Sequence, residues 1–138
     1  MGKIVAIDYG LKRIGLAISD ANHRIALPWI TVEGGRLELE NICKILLPRK
    51  GEIEKIIIGL PLHMSGQKSE MSQKVEVFAQ KLGEKIGLPV LLVDERLSSR
   101  HADTSLRETK VSRKKRTEIL DQTAAALLLQ SYLDQRNV

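Results

Sequence analysis

After Lys3, the run Ile4-Val5-Ala6-Ile7 offers no polar side chain to either face of an extended chain until Asp8. Successive residues of a strand point to opposite faces, so such a run needs apolar cover on both sides. It predicts a central strand over Lys3–Tyr9, inside a sheet with helices layered above and below. A chain of 138 residues has room for one such layered domain, spanning 1–138. A domain of that size buries enough surface to stand without disulfides, and the single cysteine, Cys43, excludes an internal one along with any cysteine-based zinc cluster.

The rest of the chain fits that frame. Tyr9-Gly10-Leu11-Lys12 makes a turn into a second strand, Arg13–Ser19. That strand carries Ile14, Leu16 and Ile18 on one face and the small Gly15, Ala17 and Ser19 on the other. The small face lets a helix or another backbone come close. Asp20-Ala21-Asn22 turns into a third strand, Ile25–Val32, whose Pro28 suits an edge position, and Gly34-Gly35 ends it. Leu39, Ile42, Cys43 and Leu46 recur at helical spacing, closed by Pro48 and Gly51. Lys55–Gly59 reads as a short buried strand. Met71, Val75, Phe78, Leu82 and Ile86 form the stripe of a second helix, with Ser69 as N-cap and Gly87 at the C-terminus. Val90–Val93 reads as a further buried strand, and helices are expected over Ser98–Arg107 and Glu118–Gln135. The order βββαβαβαα implies an α/β fold, a mixed sheet flanked by helices.

Three acidic positions sit against this apolar frame. Asp8 ends one strand and Asp94-Glu95 ends another. Asp121 lies on the apolar face of the last helix, four, seven and eleven residues before Ala125, Leu128 and Tyr132. An ionised carboxylate in such surroundings needs a cation, a hydrogen-bond network or a raised pKa. Each has an ordinary role open to it. Asp8 can start the turn through Gly10, Asp94 can cap a helix, and Asp121 can pair with Lys114, Lys115 or Arg116. Taken together, three carboxylates at element ends around one sheet favour a divalent metal, and an all-oxygen set favours magnesium or manganese. Alternation places Asp94 and Glu95 on opposite faces, so one of them joins Asp8, and spacing does not say which.

Lysine and arginine number 22 against 17 acidic residues, a net charge of +5. The stretch Lys110-Val111-Ser112-Arg113-Lys114-Lys115-Arg116 concentrates that excess and is expected as a loop or a helix start. Basic domains of this size often meet nucleic acid, because neutralising phosphates releases counterions. Aromatic residues are only 3%, which argues against a stacking platform for single strands and leaves Trp29 and Phe78 as packing residues. His23, His63 and His101 have no metal-ligand spacing, and Cys43 is expected as a buried core thiol. No apolar run approaches the roughly 18 residues of a membrane span, and the N-terminus lacks the pattern of a secretory signal. A cytoplasmic protein with no membrane partner is expected.

Four segments together resemble the YqgF/RuvX family of RNase H-like proteins: Asp8-Tyr9-Gly10-Leu11-Lys12-Arg13-Ile14-Gly15, Gly59-Leu60-Pro61-Leu62 with Gly66, Asp94-Glu95-Arg96-Leu97-Ser98, and Asp121-Gln122-Thr123-Ala124-Ala125. They stand in the family's order and span nearly the whole chain, although Ser98-Ser99 stands where threonine is common. The resemblance implies an RNase H-like fold with a five-stranded mixed sheet. It implies a nuclease that hydrolyses phosphodiester bonds with two metal ions, with Asp8, Glu95 and Asp121 as ligands and Asp94 a neighbour. Lys12, Arg13, Arg96 and the run Arg113, Lys114, Lys115 and Arg116 are then candidates to hold phosphate. The substrate it implies is the 5′ end of precursor 16S ribosomal RNA, or else a Holliday junction. A non-catalytic nucleic-acid-binding factor acting in transcription is the alternative of a different class. A phosphotransferase of the actin-kinase type is disfavoured, because those enzymes enclose ATP between two such domains. A monomer or weak homodimer is expected, a robust dimer being what symmetric junction cleavage requires.

Overall fold

The computed structural model describes residues 2–61, 69–94 and 113–136, with 113–122 described by backbone alone. Three strands open the chain, β1 (Lys3–Asp8), β2 (Arg13–Ser19) and β3 (Ala26–Glu33). Helix α1 (Glu38–Leu46) runs into a 3-10 turn over Leu47–Glu52, then β4 (Ile53–Leu60), α2 (Glu70–Ile86), β5 (Val90–Asp94) and α3 (Arg113–Arg136) follow. The strands form one sheet in the order β3-β2-β1-β4-β5. The β1–β2 and β2–β3 pairs are antiparallel, while β1–β4 and β4–β5 are parallel. The five-stranded mixed sheet of an RNase H-like fold is therefore present, with β1 at its centre.

Alternation along the strands sorts the core into two layers. Val5, Ile7, Ile14, Leu16, Ile56 and Ile58 pack on one side beneath α1 and α2. Ile4, Ala6, Ala17 and Ile57 pack on the other beneath α3. The doubly apolar β1 is buried on both faces, as its sequence requires. On the α3 side the sheet offers the small Ala6 and Ala17, and the helix answers with Ala125 and Ala126. Small residues on both partners let the helix axis approach the sheet, while Leu128, Leu129 and Leu133 fill the flanks.

Local signals explain the boundaries. Asp20 accepts hydrogen bonds from the amides of Arg24 and Ile25, which fixes the β2–β3 turn and holds its carboxyl below the usual range. Pro28 lies on an edge strand, opposite Ala17 where the register shifts. Ser69 caps α2 through a reciprocal pair of bonds with Ser72, and Gly87 ends it in the left-handed region at φ 73°. Cys43 is buried in α1, which pushes its thiol pKa up. Phe78 is 5% exposed, and Trp29 packs against the core beneath the Arg49 guanidinium.

Two expectations change. β5 is not a buried strand: Leu91 and Leu92 are 42% and 38% exposed, because among the described residues β5 is the sheet's last strand and pairs only with β4. Helix α3 begins at Arg113 rather than Glu118, so the cationic run Arg113–Arg116 is its first turn. Arginine and lysine are good helix formers, and the helix extends through them without an apolar stripe. The helix expected over Ser98–Arg107 lies outside the described residues.

Gln130 anchors α3 to the hairpin. Its Oε1 accepts from the Ala26 amide and its Nε2 donates to the Arg24 carbonyl, both at 2.9 Å. Across the helix, Lys55 Nζ donates to Tyr132 Oη at 2.9 Å. Gln130→Ala removes both backbone bonds and should lower stability by about 1–2 kcal/mol, read from denaturant unfolding.

Candidate active site

Parallel β1, β4 and β5 end at the same edge of the sheet, and Asp8, Leu60 and Asp94 are their last residues. Asp8 follows the row Ile7–Ile58–Leu92 and alternates to the face of Ile4 and Ala6, the side covered by α3. It is half-buried. In β2 it pairs with Gly15, and on the β4 side Gly59 follows Ile58 at the same level. Both strand neighbours of Asp8 on its own face are thus glycines. Two glycines bring no side chain of their own beside the carboxylate, and glycine within a strand often marks the close approach of another backbone or a ligand. The sequence showed Gly15 only as part of a small face; its place opposite Asp8 is set by the register.

Layering also assigns Asp94 to a face. Leu60 belongs to the α1/α2 side and pairs with Asp94, whereas Val93 belongs to the α3 side. Asp94 is exposed on the face opposite Asp8. Glu95 and Arg96 lie outside the described residues. Asp121 falls within α3, the helix on Asp8's side, at a position described by backbone alone. Among the described residues no group of three or more histidine, cysteine, aspartate or glutamate side chains is assembled as a metal site. Asp8 fits a hard divalent ion in kind, as a carboxylate oxygen donor.

The expected phosphate contacts divide in the same way. Lys12 is exposed in the turn after Asp8, and Arg13 is the half-buried first residue of β2, paired with Glu33. Arg113, Lys114, Lys115 and Arg116 open α3, their side chains outside the described set. His23 has a local role, its ring hydrogen-bonded to the Gly2 carbonyl from a backbone at φ 57°. His63 and His101 lie outside the described residues.

The turn carrying Lys12 is tightly built. A Cβ at Gly10 would meet the Arg13 carbonyl oxygen at 2.5 Å, so the turn requires glycine. The Gly34 amide donates to the Lys12 carbonyl at 2.9 Å. Tyr9 turns to the α1/α2 side and its hydroxyl donates to Glu38 Oε1 at 2.6 Å. Burial, then the hydrogen bond to Glu38 and the charge of Glu38, push the Tyr9 pKa up to about 12, so this hydroxyl stays a donor at any physiological pH. Beside it a cavity of about 730 Å³ opens between α1 and α2, lined by Arg36, Leu39, Glu70, Lys74 and Val77 among others. It lies on the side of the sheet away from the Asp8 carboxylate, and its rim mixes both signs of charge.

Known proteins are similar to this chain in sequence and, separately, in fold. A relative from Protochlamydia amoebophila, named as a candidate pre-16S rRNA nuclease, is 44% identical, with 97% of this chain and 94% of that one covered. One from Desulfitobacterium hafniense with the same name is 42% identical, covering 96% and 92%. Among solved structures, T. thermophilus RuvC in complex with Holliday junction substrate superposes with a TM-score of 0.59 at 15% identity, covering 99% of this chain and 96% of that one. The fowlpox virus resolvase bound to Holliday junction DNA gives a TM-score of 0.59 at 14% identity, covering 97% and 98%. No helix among the described residues is long and apolar enough to cross a membrane. The family described as RuvX, Holliday junction resolvase, matches residues 2–135, and this chain belongs to it.

Proposed function

We propose that the whole chain acts as one nuclease domain that hydrolyses phosphodiester bonds, with precursor 16S ribosomal RNA as its substrate. The observation that carries this reading is the placement of Asp8: at the end of the central strand, between two glycines, on the side covered by the helix that holds Asp121. The substrate is inferred from the names that close relatives bear. Asp8, Glu95 and Asp121 would hold the metal. Asp94 is passed over because it belongs to the other face, which leaves Glu95 as the acid at the end of β5 able to serve the α3 side.

Magnesium or manganese, when bound there, lowers the pKa of an attacking water and offsets the charge on the leaving oxygen. The chain's own part is to fix the donors and to hold the substrate. Asp8 is the last residue of the central strand, so the buried body of β1 sets where its carboxylate emerges. Gly15 and Gly59 let the scissile phosphate approach that carboxylate. Lys12 and Arg13, four and five residues past Asp8, would grip a flanking phosphate, and Arg96 would do so bidentately. The Arg113–Arg116 turn would follow the backbone further out through long-range attraction. The protein would work in the cytoplasm as a monomer or weak homodimer.

A second reading, cleavage of four-way DNA junctions, is favoured by the family's description and by the shared fold. Cleavage of a labelled precursor ribosomal RNA end and of a labelled junction, each with magnesium, with manganese and with EDTA, separates the two. Metal-dependent cleavage of the RNA is expected. Cleavage of the junction alone would reverse the assignment. Tight binding without cleavage of either would replace it with a binding factor of the kind that acts in transcription.

A further inference from the structure

Asp8 and Tyr9 are consecutive, and they leave β1 toward opposite sides of the sheet. What holds Tyr9 therefore restrains Asp8. The Tyr9 ring packs on Phe78 with centroids 4.8 Å apart and planes tilted by 44°. Its hydroxyl donates to Glu38 Oε1 at 2.6 Å. The second oxygen, Glu38 Oε2, accepts from the Gly35 amide at 3.1 Å. One residue earlier the Gly34 amide donates to the Lys12 carbonyl at 2.9 Å, and Gly34 is so close to the Leu11 carbonyl oxygen that a Cβ there has no room. One short segment, 34–38, thus grips the 9–12 loop at both ends. Both oxygens of Glu38 are used for this.

The fold itself has little need of the grip. Helix α1 is docked by Ile42, Cys43 and Leu46, and β1 is fixed by its pairing with β2 and β4. Asp8 is the last paired residue of β1, so the Asp8–Tyr9 peptide is the first that the ladder does not hold. A shift of Tyr9 there displaces the Asp8 Cα and with it the carboxylate, and a ligand set tolerates roughly 0.5 Å of error. A tether on the opposite side of the sheet resists that shift without occupying the site.

We propose that the Tyr9–Glu38 hydrogen bond, anchored through Gly35, is a positioning device that aims the Asp8 carboxylate toward the α3 side for metal binding. The inference rests on Asp8 being a metal ligand, and Tyr9 and Glu38 act only through it. Partners that orient a ligand in this way typically change metal affinity or activity by about 10–100-fold.

The test uses the full chain and two substitutions of graded effect. Tyr9→Phe keeps the ring on Phe78 and removes only the hydrogen bond. Glu38→Gln has one carbonyl oxygen, so it can hold Tyr9 or Gly35 but not both. Leu82→Ala, which opens the core beneath α2 and touches none of these bonds, controls for general loss of stability. Two quantities are read as magnesium is titrated: the rise in Tm, which needs no turnover, and cleavage of whichever substrate the protein cuts. Tyr9→Phe should raise the half-saturating magnesium by roughly 10–100-fold in both, with activity recovered at high magnesium. Glu38→Gln should raise it less, and Leu82→Ala should lower Tm while leaving it at the wild-type value. A wild-type magnesium requirement in Tyr9→Phe, with Asp8→Asn inactive, would overturn the positioning role and leave the site intact. A requirement raised equally by Leu82→Ala would also overturn it, as mere destabilisation. An active Asp8→Asn would instead remove the metal-site reading on which the proposal rests.

Discussion

Asp8→Asn should lower cleavage by roughly a thousandfold or more while the protein still folds and still binds nucleic acid. The substitution is nearly isosteric and removes one negative oxygen. Asp8 stands at the end of the innermost strand, and among the described residues its strand neighbours on that face offer no side chain to replace it. Gly15 and Gly59 have none to offer, and Asp94 belongs to the other face. A charged ligand contributes far more to holding a divalent cation than a neutral amide does, and hydrolysis needs that cation to activate water. The same variant should respond differently to magnesium in a thermal melt. Binding to the folded state alone raises Tm, so wild-type protein should gain Tm as magnesium is added and Asp8→Asn should not. Normal turnover by Asp8→Asn, or an unchanged magnesium-dependent gain in Tm, would mean that the metal is held elsewhere.

The position of Asp8 was legible in the sequence because its signal is local. An apolar run with a single acid at its end gives both the strand and the acid. β2 was legible for the same reason: large and small residues alternate through Arg13–Ser19, and the small side is the one α3 approaches. Ser69, Gly87 and Pro28 each mark a boundary by backbone chemistry that operates within a few residues. The exposure of Leu91 and Leu92 was not legible, since a buried strand and an edge strand share the same short apolar run. Only strand order distinguishes them, and strand order is set by contacts remote in sequence. The cationic run was open between a loop and a helix start, and the helix was placed from Glu118, because such a run has helical propensity without helical periodicity. The Tyr9–Glu38 bond joins residues 29 apart, and no spacing rule connects the end of a strand with the first turn of a later helix. Which acid at the end of β5 serves the site was open on spacing. The resemblance chose Glu95; the described layering assigns Asp94 to the face opposite Asp8. The convergence of Glu95 and Asp121 on Asp8 stays a proposal resting on that resemblance.

Replacing Arg113, Lys114, Lys115 and Arg116 together with glutamine should weaken nucleic-acid binding and flatten its salt dependence without destabilising the fold. The four cations form the first turn of α3, which contains no acidic residue. The N-terminus of a helix carries partial positive charge, so cations there are unfavourable, each by a few tenths of a kcal/mol. By spacing, Arg113 and Arg116 form one like-charge i, i+3 pair, which is also unfavourable on a helix. Four such charges at that end do not stabilise the helix, and contact with phosphate is a role that suits them. Glutamine keeps good helix propensity and removes the repulsion, so Tm should stay level or rise. Binding should move the other way. Each phosphate contact contributes about 0.7–0.9 to the slope of log affinity against log salt, so losing four lowers that slope by about 3–4. The comparison is decisive because the two effects have opposite signs. A variant with higher Tm, weaker binding and a shallower slope identifies a surface that gives up stability for phosphate contact. A variant with an unchanged slope shows a solvated helix end, and would shift the nucleic-acid contact to Lys12, Arg13 and Arg96 around Asp8.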